Sequence, residues 1–133
     1  MDFDINILFA AKVLTSVFLS ILFLQSGLDK VIDWKGNHQW LKGHFASTVL
    51  KDVVKPLLIS ITLLELTAGS FSAFGAIYLI ITGNGHYALL GILFSAISLI
   101  CLFFGQRIAK DYEGALSLAI YFILTIIGLL LYK

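Results

Sequence analysis

Cysteine, proline and charge are all scarce in this chain. One cysteine excludes an intrachain disulfide framework, a cysteine-built metal cluster and any C-x-x-C redox pair. One proline beside 11 glycines excludes collagen and proline-rich linkers. Charged residues make up 13% of the 133, against about 25% in an average soluble domain. Nine Lys and Arg nearly balance eight Asp and Glu, so the net charge of +1 supplies no bulk field for nucleic acid. What is plentiful is apolar surface: 59% of residues are hydrophobic and the mean hydropathy is +0.98. Disordered chains are poor in such residues, and a soluble globule of this size could not hide so many. The composition points to a small integral membrane protein, with the lipid bilayer as its first partner.

A spanning helix needs about 20 mostly apolar residues. Four segments meet or approach that length: Ile5 to Leu28 (interrupted by Lys12), Pro56 to Ile81 (interrupted by Glu65), Tyr87 to Phe104, and Ala115 to Tyr132. The first eleven residues hold Asp2 and Asp4 and no Lys or Arg, the reverse of a signal-peptide n-region, so this segment is expected to be a permanent span. Of the nine cations, seven fall in the first and third connections: Lys30, Lys35, Lys42, Lys51 and Lys55, then Arg107 and Lys110. The positive-inside rule puts those connections in the cytoplasm and both termini outside it. The second connection, Thr82 to His86, reads as a tight turn that makes the second and third spans an antiparallel hairpin. The first connection, residues 29–55, is too long for an idle turn. Its Trp34, Trp40 and Phe45 among lysines suit a segment lying at the headgroup level, acting as an interfacial cap or as a lid over a ligand.

Small and polar residues recur at helical spacing on every span: Lys12, Ser16, Ser20 and Gly27 on the first; Glu65, Ala68, Gly69, Ser72 and Ala76 on the second. Gly91, Ser95, Ser98 and Gly105 mark the third, and Ser117, Tyr121, Thr125 and Gly128 the fourth. Hydroxyls and charges avoid lipid, and small residues let helices approach closely, so these stripes should face inward. The expected fold is all-α, a four-helix antiparallel transmembrane bundle in one domain. Most of the small residues are expected to be packing seams.

Glu65 stands apart. It lies nine residues beyond Pro56, about 13 Å into a hydrocarbon core roughly 30 Å thick. A carboxylate there is costly unless paired, protonated or wetted. Three outcomes are open: an ion pair with Lys12, a neutral Glu65, or a small wet cavity. Ser16, Ser20, Ser95, Ser98, Tyr121 and Thr125 fall at similar depths and are expected to converge on it. Glu65, Lys12 and Tyr121 form the candidate buried polar site; no catalytic residue and no metal site is assigned. His38 and His44 are separated from His86 by the membrane and cannot share a haem, and Cys101 is expected to be a buried, inert thiol. No G-x-S-x-G, P-loop, H-E-x-x-H or dinucleotide fingerprint occurs, so the parts of a complete redox or hydrolytic enzyme are missing.

The run Phe23-Leu24-Gln25-Ser26-Gly27-Leu28-Asp29-Lys30-Val31 resembles the F-x-x-S-G-L-x-K-L signature of the DoxX-like membrane proteins. Lys12 matches the basic residue that opens helix one in that family, where Arg is usual. Glu65 with Gly69 matches its Glu-then-Gly pattern in helix two, and Tyr112-Glu113-Gly114 loosely matches the polar residue and Gly before helix four. The run Ser70 to Gly75 departs from the leucine-rich stretch common there. The resemblance implies a four-helix protein of the bacterial inner membrane. Some members are tied to thiosulfate:quinone oxidoreduction or to complexes of thiol and oxidative stress; related eukaryotic proteins chaperone receptor assembly. The favoured expectation is an accessory subunit of a redox, quinone-linked membrane complex, with a quinone head group near Glu65, Lys12 and Tyr121 and electrons supplied by partner subunits. The alternative is a non-catalytic assembly, chaperone-type or scaffold protein working through helix–helix seams. A small transporter acting as a homo-oligomer is a weaker third reading.

Overall fold

A computed structural model of the chain describes residues 6–133. Asp2, Asp4 and the Ile5 start of the first expected span lie outside the described residues. Five α-helices follow in order: α1 Ile7–Ile32, α2 Trp34–His44, α3 Val54–Thr82, α4 His86–Ile108 and α5 Tyr112–Leu130. Four of them, α1, α3, α4 and α5, are long and apolar enough to cross a membrane.

The spans are longer than the sequence reading at their connection ends. α1 runs on from Leu28 to Ile32, and α4 from Phe104 to Ile108. A charged residue ends a hydropathic run without ending a helix: Asp29 and Lys30 both remain helical, Asp29 exposed and Lys30 partly buried. What ends α1 is Asp33, whose non-helical backbone (φ −116°, ψ 57°) breaks the helix. Its carboxylate then accepts from Gly36 N–H at 3.2 Å and caps α2. The long first connection is thus a helix plus a run of turns rather than an irregular cap. At the start of α3, Pro56 falls in the first turn, where its missing N–H leaves no helical bond unmade. The expected tight turn is present: Gly83 takes the left-handed conformation (φ 75°) that closes α3, and Asn84 Oδ1 accepts from His86 N–H at 2.8 Å.

α3 is the central element, packed along α1 on one side and α4 on the other, with α5 against α4. Close approach fixes the register. A Cβ placed on Gly27 would lie 2.7 Å from the Leu66 side chain, and one on Gly69 2.7 Å from that of Leu24. α1 and α3 are therefore antiparallel with Gly27 facing Leu66. On the opposite face of α3, a Cβ on Gly75 would strike the backbone of Ala88. Lipid gives helices no hydrophobic reason to associate, so tight van der Waals contact at such positions holds the bundle together. Leu19, Phe23, Ala68, Ile92 and Leu99 form its apolar core.

The small-residue stripes of α1, α3 and α4 do face inward: Ser16, Ser20, Gly27, Glu65, Ala68, Gly69, Ser72, Ala76, Gly91, Ser95 and Ser98 are all buried. On α5 the seam is shorter than expected. Thr125 and Gly128 are buried, but Ser117 is exposed, because that part of α5 has no neighbour on its outer side. Cys101 is also exposed, on the outward face of α4, and not buried as its apolar surroundings suggested. Periodicity misled there: four apolar neighbours on a lipid-facing helix do not mean core.

Candidate functional site

Glu65 is among the most buried side chains, 1% exposed. Its partner is Lys30, whose Nζ lies 2.8 Å from Glu65 Oε1. The same ammonium donates to Ser26 Oγ at 2.9 Å and reaches Ser26 O at 3.4 Å. Oε1 accepts no directed hydrogen bond from the described residues, so the contact with Lys30 is Coulombic.

Local sequence explains the pair. Phe23, Gly27 and Lys30 recur at helical spacing on the face that α1 turns to α3. Gly27 removes the side chain that would hold α3 away, which brings position 65 within reach of position 30. Ser26, one turn back, holds the ammonium in place. Lys30 also sits in the last turn of α1, where a cation offsets the exposed carbonyls of the helix end. Ser26, Gly27 and Lys30 of the Ser-Gly-Leu-Asp-Lys run thus each have a local task, while Asp29 contributes its backbone carbonyl, which accepts from Asn37 Nδ2 at 3.3 Å.

The other two residues of the expected site are elsewhere. Given the Gly27–Leu66 register, Glu65 stands beside position 28 of α1, so Lys12 is about 24 Å away along the helix. Lys12 lies over the Tyr132 ring, 4.6 Å from its centroid, at the opposite end of the bundle. Tyr121 packs half-buried near Phe18, ring centroids 6.1 Å apart, some ten residues or about 15 Å of helix from the level of Glu65. The Lys12–Glu65–Tyr121 grouping does not form. The hydroxyls do not converge on the acid either. Ser20, Thr62, Ser95, Ser98 and Thr125 each donate to a carbonyl three or four residues back on their own helix, at 2.6–2.8 Å. Ser16 is fully buried near Tyr132, at the far end from the acid, and Ser72 is fully buried with no hydrogen-bond partner among the described residues.

Sequence reasoning missed Lys30 because it assigned that residue to the connection. The signal was available: Lys30 lies three positions beyond Gly27 and four beyond Ser26, on the buried stripe.

Lys30 also lines a cavity of about 370 Å³ at the connection end of the bundle. Leu58, Ile61 and Leu64 of α3 and Leu102 of α4 form its apolar walls, and Leu41 of α2 lies over it. Polar groups on the lining include Lys30, Asn37 and Gln106. Phe45, just after α2, is buried and fills the gap beside Gly105. His44 Nε2 meets Gln106 Oε1 at 2.7 Å, and Trp40 stacks on the His44 ring at 4.5 Å. These contacts tie α2 to the end of α4. Asp111 caps α5 through Gly114 N–H at 3.0 Å, while its own N–H donates to Gln106 O at 2.9 Å, holding Gln106 from the other side. The arrangement is a buried, charge-balanced pair at the edge of an apolar chamber that α2 covers. It can hold an apolar molecule and offer it a hydrogen-bond donor.

Comparison with protein-family models, with curated proteins and with solved structures finds no match to this chain.

Proposed function

We propose that this chain is a DoxX-like accessory subunit of a quinone-linked redox complex in the bacterial inner membrane, with its quinone head-group site beside the Lys30–Glu65 pair. The observation that carries the reading is the cavity at Lys30. Ligand pockets are mostly apolar with a few placed polar groups and measure about 300–1,000 Å³, and this one fits that description at about 370 Å³. The pair replaces the Lys12–Tyr121 grouping as the polar centre. An intramembrane acid and base in contact mark a functional position by default, because burying both charges is costly. The charge bias of the connections supports an orientation with α2 in the cytoplasm and both termini outside. Electrons reach the quinone from a partner subunit, since the chain brings one cysteine and no paired haem ligands.

Purification in native lipid tests this reading. Quinone should co-purify near one per chain, and added short-chain quinone should raise the thermal midpoint of the parent but not of Lys30→Met. Absence of both effects, with a single membrane-protein partner cross-linking in native membranes, would favour an assembly role instead.

A further inference from the structure

The cavity has a side door, and its polar lining selects the head group that enters. Among the residues around it, Leu57 and Ser60 of α3, Cys101 and Phe104 of α4 and Trp40 of α2 are exposed, whereas Leu58, Val54 and Phe45 behind them are buried. The chamber therefore opens laterally, between the outer faces of α3 and α4 and under α2. Both α3 and α4 are membrane-length apolar helices, so that opening faces lipid rather than water.

The charge at the inner end is balanced. Lys30 is 16% exposed and already neutralised by Glu65, itself 1% exposed and with no directed hydrogen bond to Oε1. An anionic head group would have to take Lys30 from Glu65 and strand a buried carboxylate, a change that costs several kcal/mol. A neutral carbonyl needs only the weakest of the three Lys30 contacts, the one to Ser26 O at 3.4 Å. Glu65 keeps its partner in that case. A volume of about 370 Å³ has room for one ring and the start of one chain, and none for both tails of a phospholipid.

We infer that this cavity takes a neutral, carbonyl-headed, single-tailed amphiphile of the quinone type, admitted from the bilayer between α3 and α4, with its carbonyl on Lys30 and its tail left in lipid. The inference rests on the quinone reading above and fixes where the ligand sits, how it arrives and which head group is refused.

The test uses the full chain in lipid nanodiscs with a photoreactive benzoquinone carrying a ten-carbon tail, and peptide mapping of the label. Labelling should saturate and map to residues 34–45 and 101–106. Unlabelled decyl-benzoquinone should compete at least tenfold better than decanoate. Lys30→Met should cut labelling at least tenfold. Ser60→Trp, placed at the mouth on an exposed position away from the ion pair, should do the same while leaving the thermal midpoint at the parent value. Equal competition by decanoate overturns the head-group selection. Full labelling of the Ser60→Trp variant overturns the portal. Saturable labelling that maps to the Lys12–Tyr132 end overturns this site yet leaves the quinone reading standing; no saturable labelling anywhere removes both.

Discussion

Removing the Lys30 side-chain charge should be far worse than removing both charges. In Lys30→Met, Glu65 keeps its burial of 1% exposure and loses the cation 2.8 Å away. Breaking a buried pair from one side costs about 3–5 kcal/mol, because the remaining charge is desolvated and unpaired. Glu65→Leu is milder. Lys30 is 16% exposed, keeps Ser26 Oγ at 2.9 Å, and sits in the last turn of α1, from which its stem can reach the headgroup level. A cost of about 1–3 kcal/mol, that of a donor left partly unsatisfied, follows. The double variant Lys30→Met/Glu65→Leu strands nothing and should lie within about 1 kcal/mol of the parent, or above it. The two sites should then couple by at least about 3 kcal/mol, at the upper end of what contacting residues show. Lys12→Met is the control. Its cation–ring contact with Tyr132 at 4.6 Å is worth about 0.5–1 kcal/mol, and it should show no coupling to Glu65. The assay is equilibrium unfolding of the four variants in mixed micelles titrated with a denaturing detergent. Single effects that add to within about 0.5 kcal/mol, or a Lys12→Met variant that behaves as Lys30→Met does, would refute the pairing.

Close packing makes a second contrast. Gly75→Ala drives a methyl into the Ala88 backbone, which cannot rotate away, and should cost about 1–3 kcal/mol in the same unfolding assay. Gly43→Ala, with nothing within 4 Å of the new methyl, should be neutral or stabilising by up to about 1 kcal/mol. Ser72→Ala removes a fully buried hydroxyl that has no partner among the described residues, so the variant should be as stable as the parent or more so; a loss above about 1 kcal/mol would mean the hydroxyl bonds a group or water of its own. His44→Ala frees Gln106 from its 2.7 Å contact and should speed amide hydrogen exchange across α2 severalfold, while exchange in the centres of α3 and α4 stays unchanged.

The bundle itself was legible from composition and helical periodicity, because lipid imposes few alternatives: four apolar segments must be helices, and small residues must be where helices touch. Ser16, Gly27, Gly69, Ser72 and Gly91 were placed correctly on that basis alone. Glu65 was legible as a buried group, since a carboxylate in a long apolar run has few other places to go. Its partner was not. Lys12 lies towards the outer end of its span and was expected to bend inward if it paired with Glu65, yet the helix register, set by Gly27 against Leu66, leaves it a whole helix length away. Lys30 was hidden by a boundary drawn at Leu28, one turn too early. The hydroxyls misled for a different reason: Ser and Thr inside a membrane helix satisfy themselves on their own backbone, so depth alone does not aim them at a neighbour. Cys101 and Ser117 were misplaced because an outward face and an inward face of a lipid-embedded helix can carry the same residue types. The cavity was beyond sequence reasoning, since it depends on where α2 lies against α1 and α3, a matter of tertiary contacts such as the reach of His44 to Gln106 of α4.

Infrared difference spectroscopy of the parent against Glu65→Gln, in lipid at neutral pH, isolates the stretches of the buried carboxyl. A lysine-paired side chain gives the asymmetric and symmetric stretches of a carboxylate, shifted further when Lys30 is replaced by arginine. A carbonyl stretch of an un-ionised acid, indifferent to the residue at position 30, would contradict the ion pair on which the site depends.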